Sequence, residues 1–301
     1  MSFERIRHRL RRGRPLVLDS DTGAAFRARG VFVDTPGALG RLLRENPSEV
    51  TRHYQAEISS RVDVLSALTA DTTPRALAEV GMEHRAAAIT GRAVDLALEA
   101  AHASPKPVAV AGVIGSEMVS PVAPDRHHQE LCEHAERLAV AGCELLIARG
   151  QGSRLGLMAA VVAAAGTDLP TWAVVECMPN GAPVTGGSAA DLVAPLEDAG
   201  ASVILFEVVT VDHGVEHLRA ARAAGSERAL IGVLLAAGAF SVRGFPDPES
   251  RPELWCRRAI ELDKNGARVI GGGAGTTEAH TAELAMALGF LHPSLPVPEI
   301  H

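Results

Sequence analysis

The chain has 301 residues, 47% of them hydrophobic, which is enough for one large domain or two small ones with a full core. Its 29 basic and 36 acidic residues leave a net charge of −7, which argues against nucleic acid as the main partner, because phosphate binding wants a basic face. No apolar run reaches the ~18 to 20 residues of a membrane span, and no charged-then-apolar signal opens the chain.

Residues 5–14 form a basic run that reads as a solvated leader or a basic first turn. Residues 15–19 (Pro-Leu-Val-Leu-Asp) are a short buried strand, and residues 19–23 a polar loop. Residues 39–59 are helical, broken and restarted at Asn46-Pro47. A second strand follows at 62–66, a loop at 69–74 and an Ala-rich helix at 84–103. Strand 3 is placed at 107–112 with a long loop at 115–124, then a helix at 129–141 and strand 4 at 144–147. A helix at 153–165 leads to strand 5 at 171–175 and a glycine-rich loop at 181–187. A helix at 188–199 has Ser188 as its expected N-cap. Strand 6 at 202–206, a helix at 213–224, strand 7 at 229–235 and a helix at 252–264 come next. Strand 8 at 269–271 runs through glycines into a last helix at 277–288, and a Pro-rich tail covers 290–301.

Eight strand–helix units at this spacing, with strands that are continuous apolar runs, predict a single-domain α/β fold, a (β/α)8 TIM barrel over residues 1–301. A doubly wound open sheet is the second choice, weakened by the lack of a GxGxxG after the first strand. In such barrels the site lies at the C-terminal strand ends. The polar residues there are Asp19, Asp21, Ser66, Thr69, Asp71, Ser116, Glu117, Arg149, Glu176, Glu207 and Thr276. Asp also favours turns, so part of this set is expected to serve the loops.

These residues also resemble a known family, the homocysteine S-methyltransferases. Leu18-Asp-Ser-Asp-Thr-Gly23 is similar to the family's opening Leu-Asp-Gly-Gly-Met-Gly, and Glu45-Asn46-Pro47 with Val50 and His53 to its next helix. Ala111-Gly-Val-Ile-Gly115 and residues 142–147 match two further strands. The most specific match is Gly266-Ala-Arg-Val-Ile-Gly-Gly272 with Gly275-Thr-Thr and His280. The resemblance implies a (β/α)8 barrel and methyl transfer to a thiol held by zinc on three cysteines. It places two of those cysteines at Gly273 and Ala274 and the third at Glu207 or Val208, so no metal ligand is carried over and no zinc or other cofactor is expected. It also places Arg149 where the family has a Glu for the substrate's amine, and a cation there attracts an anion. The family's loop Tyr and strand 7 Asn fall at Ala70 and near Ala236, while Asp19 is retained.

Two other metal readings were weighed. His213-Gly-Val-Glu-His217 matches the H-x-x-E-H pattern of inverted zincins and also reads as an ordinary polar helix start. Asp19, Asp21, Glu176 and Glu207 are oxygen ligands of the kind Mg²⁺ or Mn²⁺ prefers, without supporting spacing. The four cysteines carry no CxxC pair: Cys132, Cys143 and Cys256 read as packing, and Cys177 as a buried small hydrophobe or a pocket edge. Their scatter and the missing signal point to a cytoplasmic protein.

The expected function is a small-molecule methyltransferase, or an enzyme derived from one, working without zinc on an anionic substrate near Arg149. Asp19 and Glu207 are its candidate catalytic residues. Asp21, Thr69, Asp71, Arg149, Glu176 and Thr276 are its candidate substrate-binding residues. Scarce aromatics (Trp172, Phe206, Phe240 and Trp255 among them) count mildly against an aromatic cage for a cationic donor. A lyase, hydrolase or isomerase on the same barrel, and an inactive scaffold, stand as alternatives. The partner is a small molecule, with no nucleic acid and no membrane, and homo-oligomerisation is left open.

Overall fold

A computed structural model describes residues 2–115, 123–150, 152–225, 228–238 and 250–292. Ser116, Glu117, Phe240 and the tail from 293 lie outside them.

Eight parallel strands close into a barrel in chain order, β1(Leu16–Leu18), β2(Val64–Ser66), β3(Ala109–Ile114), β4(Leu145–Arg149), β5(Thr171–Glu176), β6(Ala201–Val208), β7(Leu230–Leu235) and β8(Val269–Gly272). Closure comes from β1 against β8, with Leu16 level with Val269 and Leu18 level with Gly271. The described helices are α1(Ser2–Arg11), α2(Thr22–Ala28), α3(Ala38–Glu45), α4(Pro47–Ser59), α5(Pro74–Ala78), α6(Ala86–His102), α7(Pro124–Ala141), α8(Arg154–Ala165), α9(Ala189–Asp198), α10(Val211–Ala223), α11(Pro252–Lys264) and α12(Glu278–Leu291).

The expected single-domain barrel is therefore the fold. Its strands are apolar throughout because both faces are buried. Leu16, Leu18, Val64, Ile147, Val174 and Leu205 point to the barrel interior. Val17, Leu65, Leu146, Ala173 and Ile204, which alternate with them, pack under the helices. Pro47 opens α4 in its first turn, and Ser188 caps α9 through a capping box with Asp191.

The chain's start differs from the solvated leader. Residues 2–11 are helix α1, and Phe3, Ile6 and Leu10 are buried against the barrel interior. Phe3 meets Trp172 edge-on at 6.5 Å. Glu144 accepts the Ser2 amide at 3.0 Å and the Phe3 amide at 2.5 Å, which satisfies the helix start and its dipole. Asp63 accepts Arg9 and, at 3.0 Å, Lys106 and the Val17 amide. So α1 closes the end of the barrel opposite the site. Two more short helices, α2 and α5, stand where loops were expected, each started by a side-chain cap, Asp21 and Thr73.

Strands 4, 5 and 6 run further than their apolar stretches suggested. Each ends on a charged residue or just past one, and those charges satisfy one another at the mouth.

Candidate active site

The first wall of the mouth is the end of β1. Asp19 is 5% exposed. Its carboxylate accepts the Ser66 amide at 2.6 Å and the Ser66 hydroxyl at 2.8 Å, which fixes it against the end of β2. Burial pushes its pKa up to about 6, against the pull of the Ser66 donors. Behind it lies Glu57 of α4, which is 0% exposed and accepts the Ser20 hydroxyl. Burial first, then the Asp19 charge, raise Glu57 to about 8.

The opposite wall is made by β4, β5 and β6. Glu176 and Glu207 are level across the β5–β6 ladder. Arg149 Nη2 pairs with Glu207 and lies 3.8 Å from Glu176. One guanidinium thus holds two carboxylates that would otherwise repel each other on adjacent strands.

Asp19, Ser20, Ser66, Arg149 and Glu207 line one cavity of about 240 Å³, floored by Leu18, Val174 and Leu234. A second of about 350 Å³, with Glu176, Cys177, Val184 and Ala274, shares the Arg149–Glu207 pair as its wall.

The remaining predicted residues serve the loops. Asp21 caps α2 by accepting the Gly23 amide at 2.9 Å, and its other oxygen accepts the Gly275 amide at 2.9 Å. Thr276 is buried, accepts the Asp21 amide at 3.0 Å and donates to the Gly273 carbonyl at 2.7 Å. Together they clasp the β8 loop to the β1 loop, although Asp21 still edges the cavity. Thr69 lines the cavity too, with its hydroxyl exchanging bonds with the Val113 amide (2.8 Å) and carbonyl (3.0 Å). Asp71, half-buried, follows Ala70 at the cavity edge but is not itself among the residues that line either cavity. Sequence reasoning missed Glu57 and left Ser20 unmarked. Ser20 lies in the loop just past β1, between the two aspartates that drew attention, and Glu57 sits mid-helix with no motif around it; the hydrogen bonds of Glu57 to Ser20 and Thr281 reveal both.

The family model for homocysteine S-methyltransferases matches residues 16–288. The chain belongs to the homocysteine S-methyltransferase family. The homocysteine methyltransferase MmuM from Escherichia coli has a similar structure. Its metallated form is 18% identical with a TM-score of 0.77, over 95% of this chain and 100% of that one. Its oxidised form is 19% identical with a TM-score of 0.75, over 91% and 96%. A type I 3-dehydroquinate dehydratase from Clostridium difficile shares the fold at 10% identity and a TM-score of 0.56, over 94% of each chain. No curated protein matches the chain.

For a member of this family, the places that the sequence assigned to zinc ligands hold a poor donor set. Gly273 and Ala274 offer no donor atom, and Val208 is a buried hydrocarbon. Glu207 is already the partner of Arg149. The backbone has also closed on position 273: a Cβ there would meet the Ala236 nitrogen at 2.9 Å and the Leu235 carbonyl carbon at 3.0 Å. These residues do not fit a zinc ion. Cys177, the thiol that edges the second cavity, is pushed up to about 12 by burial and then by Glu207 and Glu176, so it stays a thiol. Among the described residues, no group of three or more His, Cys, Asp or Glu is placed to hold a metal ion.

The H-x-x-E-H histidines serve the β5 loop instead. His217 Nε2 bonds the Gly181 carbonyl at 2.9 Å, and its ring stacks on Phe206 at 4.8 Å. The His213 ring fills the space beside Gly181, where a Cβ would come within 2.6 Å of it. Gly181 has φ +83, so this turn needs glycine on both counts.

Proposed function

We propose that the protein is a small-molecule methyltransferase of the homocysteine S-methyltransferase type that works without the family's three-cysteine zinc. The family match supports methyl transfer as the reaction class. The single observation that carries the rest is that Asp19, Arg149 and Glu207 line one cavity at the strand ends while Gly273 and Ala274, two of the expected ligand positions, lack donors.

In this reading Asp19 receives the ammonium group of the substrate. Arg149 receives its anionic group, which replaces Glu207 as the guanidinium's partner. Glu207, once displaced, is a carboxylate within the cavity that can take the proton of the nucleophile. A thiol of ordinary acidity, near ~8.5, gains from such a base at neutral pH. A zwitterionic amino acid satisfies both walls at once, its ammonium on Asp19 and its carboxylate on Arg149. The missing donors also favour a second reading, in which the same barrel runs a different reaction on a substrate of this charge pattern.

The test is a labelled methyl-transfer assay with homocysteine as acceptor and S-methylmethionine or betaine as donor, run in a strong chelator. Labelled methionine that persists with chelator and disappears in Asp19→Asn and Glu207→Gln supports the proposal. Activity that falls with chelator and returns with added zinc overturns it. No transfer from either donor moves the assignment to the second reading.

A further inference from the structure

Glu57 is a fully buried carboxyl, and among the described residues no Lys or Arg forms an ion pair with it. Oε1 accepts the Ser20 hydroxyl and, at 3.4 Å, the Ser20 amide. Oε2 lies 3.3 Å from the Thr281 hydroxyl on α12. Among the described residues the charged groups that act on it are Asp19, on the β1 loop, and Glu278, on α12, both acids. Arg29, which caps the end of α2, is committed to Glu278 at 3.2 Å and to His53 Nδ1 at 3.0 Å. His53, one turn back on α4, is lowered to about 3 by burial and then by Arg29, so it is neutral and offers Glu57 no charge.

The hydrogen bonds suit a protonated Glu57. The Thr281 hydroxyl has one proton and two acceptors in reach, Glu57 Oε2 at 3.3 Å and, nearer, the Glu278 carbonyl at 3.1 Å, and when it donates to that carbonyl its oxygen can accept. A neutral acid then takes both Ser20 donors on Oε1 and gives its proton from Oε2 to Thr281. Asp19 has the stronger claim to a charge: it holds two Ser66 donors at 2.6 and 2.8 Å and faces the cavity.

We propose that Glu57 is a positioning residue for Asp19: it stays the neutral acid, grips Ser20 from behind, and leaves Asp19 as the ionised carboxylate that faces the cavity. This rests on the reading of that cavity as the active site, but its test needs no substrate, so the two stand or fall separately. Two carboxyls that act on each other through space, one bonded to Ser20 and the other to Ser66, then share one charge at neutral pH, and a substrate cation meets a fixed anion rather than a mobile proton.

The test is a carboxyl ¹³C NMR titration of the full chain labelled at Glu and Asp, with Glu57→Gln and Asp19→Asn to assign the two signals. The Glu57 midpoint is expected at about 8, moving down in Asp19→Asn. A midpoint near the ordinary ~4.3, or one that ignores Asp19→Asn, overturns the proposal. Stability gives an independent reading. Glu57 is higher in the folded chain than in the unfolded one, so the folded state keeps a proton the unfolded chain loses, and stability falls as pH rises from about 4.5 to about 8. The glutamine amide copies each bond of the neutral acid, so Glu57→Gln should keep wild-type stability at about pH 4 and exceed it at about pH 9. A Glu57→Gln chain that fails to fold, or melts in parallel with wild type at both values, contradicts the proposal.

Discussion

The Glu207 carboxylate, near the end of β6, holds the Arg149 guanidinium, at the end of β4, along one wall of the barrel mouth. Glu176 on the intervening strand lies 3.8 Å from the same nitrogen. The cation that the sequence suggested as an anion anchor is thus already part of an acidic cluster.

Replacing Arg149 with Met should leave Glu176 and Glu207 repelling each other on level positions of adjacent strands. Losing one partner of a fully buried pair costs about 3–5 kcal/mol. The Arg149 and Glu207 side chains are 32% and 21% exposed, so a loss of about 1–2 kcal/mol is expected. Urea unfolding of the variant beside the wild type measures it.

Asp19 should make binding of an ammonium-bearing ligand depend on pH. Burial raises its pKa to about 6, so its charge is present above that value and lost as pH falls through it. A charge-assisted bond is worth about 1.5–3 kcal/mol, so affinity should drop by roughly 10- to 100-fold on crossing to the acid side. Asp19→Asn should be weak at every pH. Calorimetric titration with homocysteine on both sides of the midpoint gives the comparison. The same raised pKa costs stability as pH climbs from about 3.8 to about 6, and the Asn variant should lack that part of the fall.

Gly273→Ala should destabilise the closing turn. The added methyl would meet the Ala236 nitrogen at 2.9 Å, a backbone atom that cannot step aside. Overpacking of this kind costs about 1–3 kcal/mol, and a shift in the urea midpoint measures it. The double change Gly273→Cys with Ala274→Cys should likewise weaken the fold without gaining a stoichiometric metal.

Phe3→Ala should destabilise the whole barrel rather than fray one end. Phe3 is 6% exposed and packs on Trp172 inside the barrel. A cost of about 3 kcal/mol is expected, and a single cooperative transition at lower urea is the outcome that separates this from local fraying.

The barrel was legible because its strands are runs of Leu, Val, Ile and Ala broken by helices at even spacing. The break at Pro47 and the cap at Ser188 follow from local chemistry alone. Helix α1 was not legible: its arginines suggested solvent, and the stripe Phe3, Ile6 and Leu10 matters only once a barrel end needs closing. Asp21 and Thr276 were correctly placed at strand ends, but their use as a clasp joins residues 255 apart, which no local pattern shows. Glu57 sits in the middle of a helix on a position that reads as solvent. Its burial comes from the β1 loop and α12 packing over it, and so does its chemistry.

The central claim is that this member of the family works without zinc. Metal analysis of the full chain, purified after expression in zinc-supplemented medium, tests it most directly. The expected result is zinc far below one ion per chain, with Cys177 still reactive toward thiol reagents only at high pH. One zinc bound per chain, retained through dialysis, would contradict it.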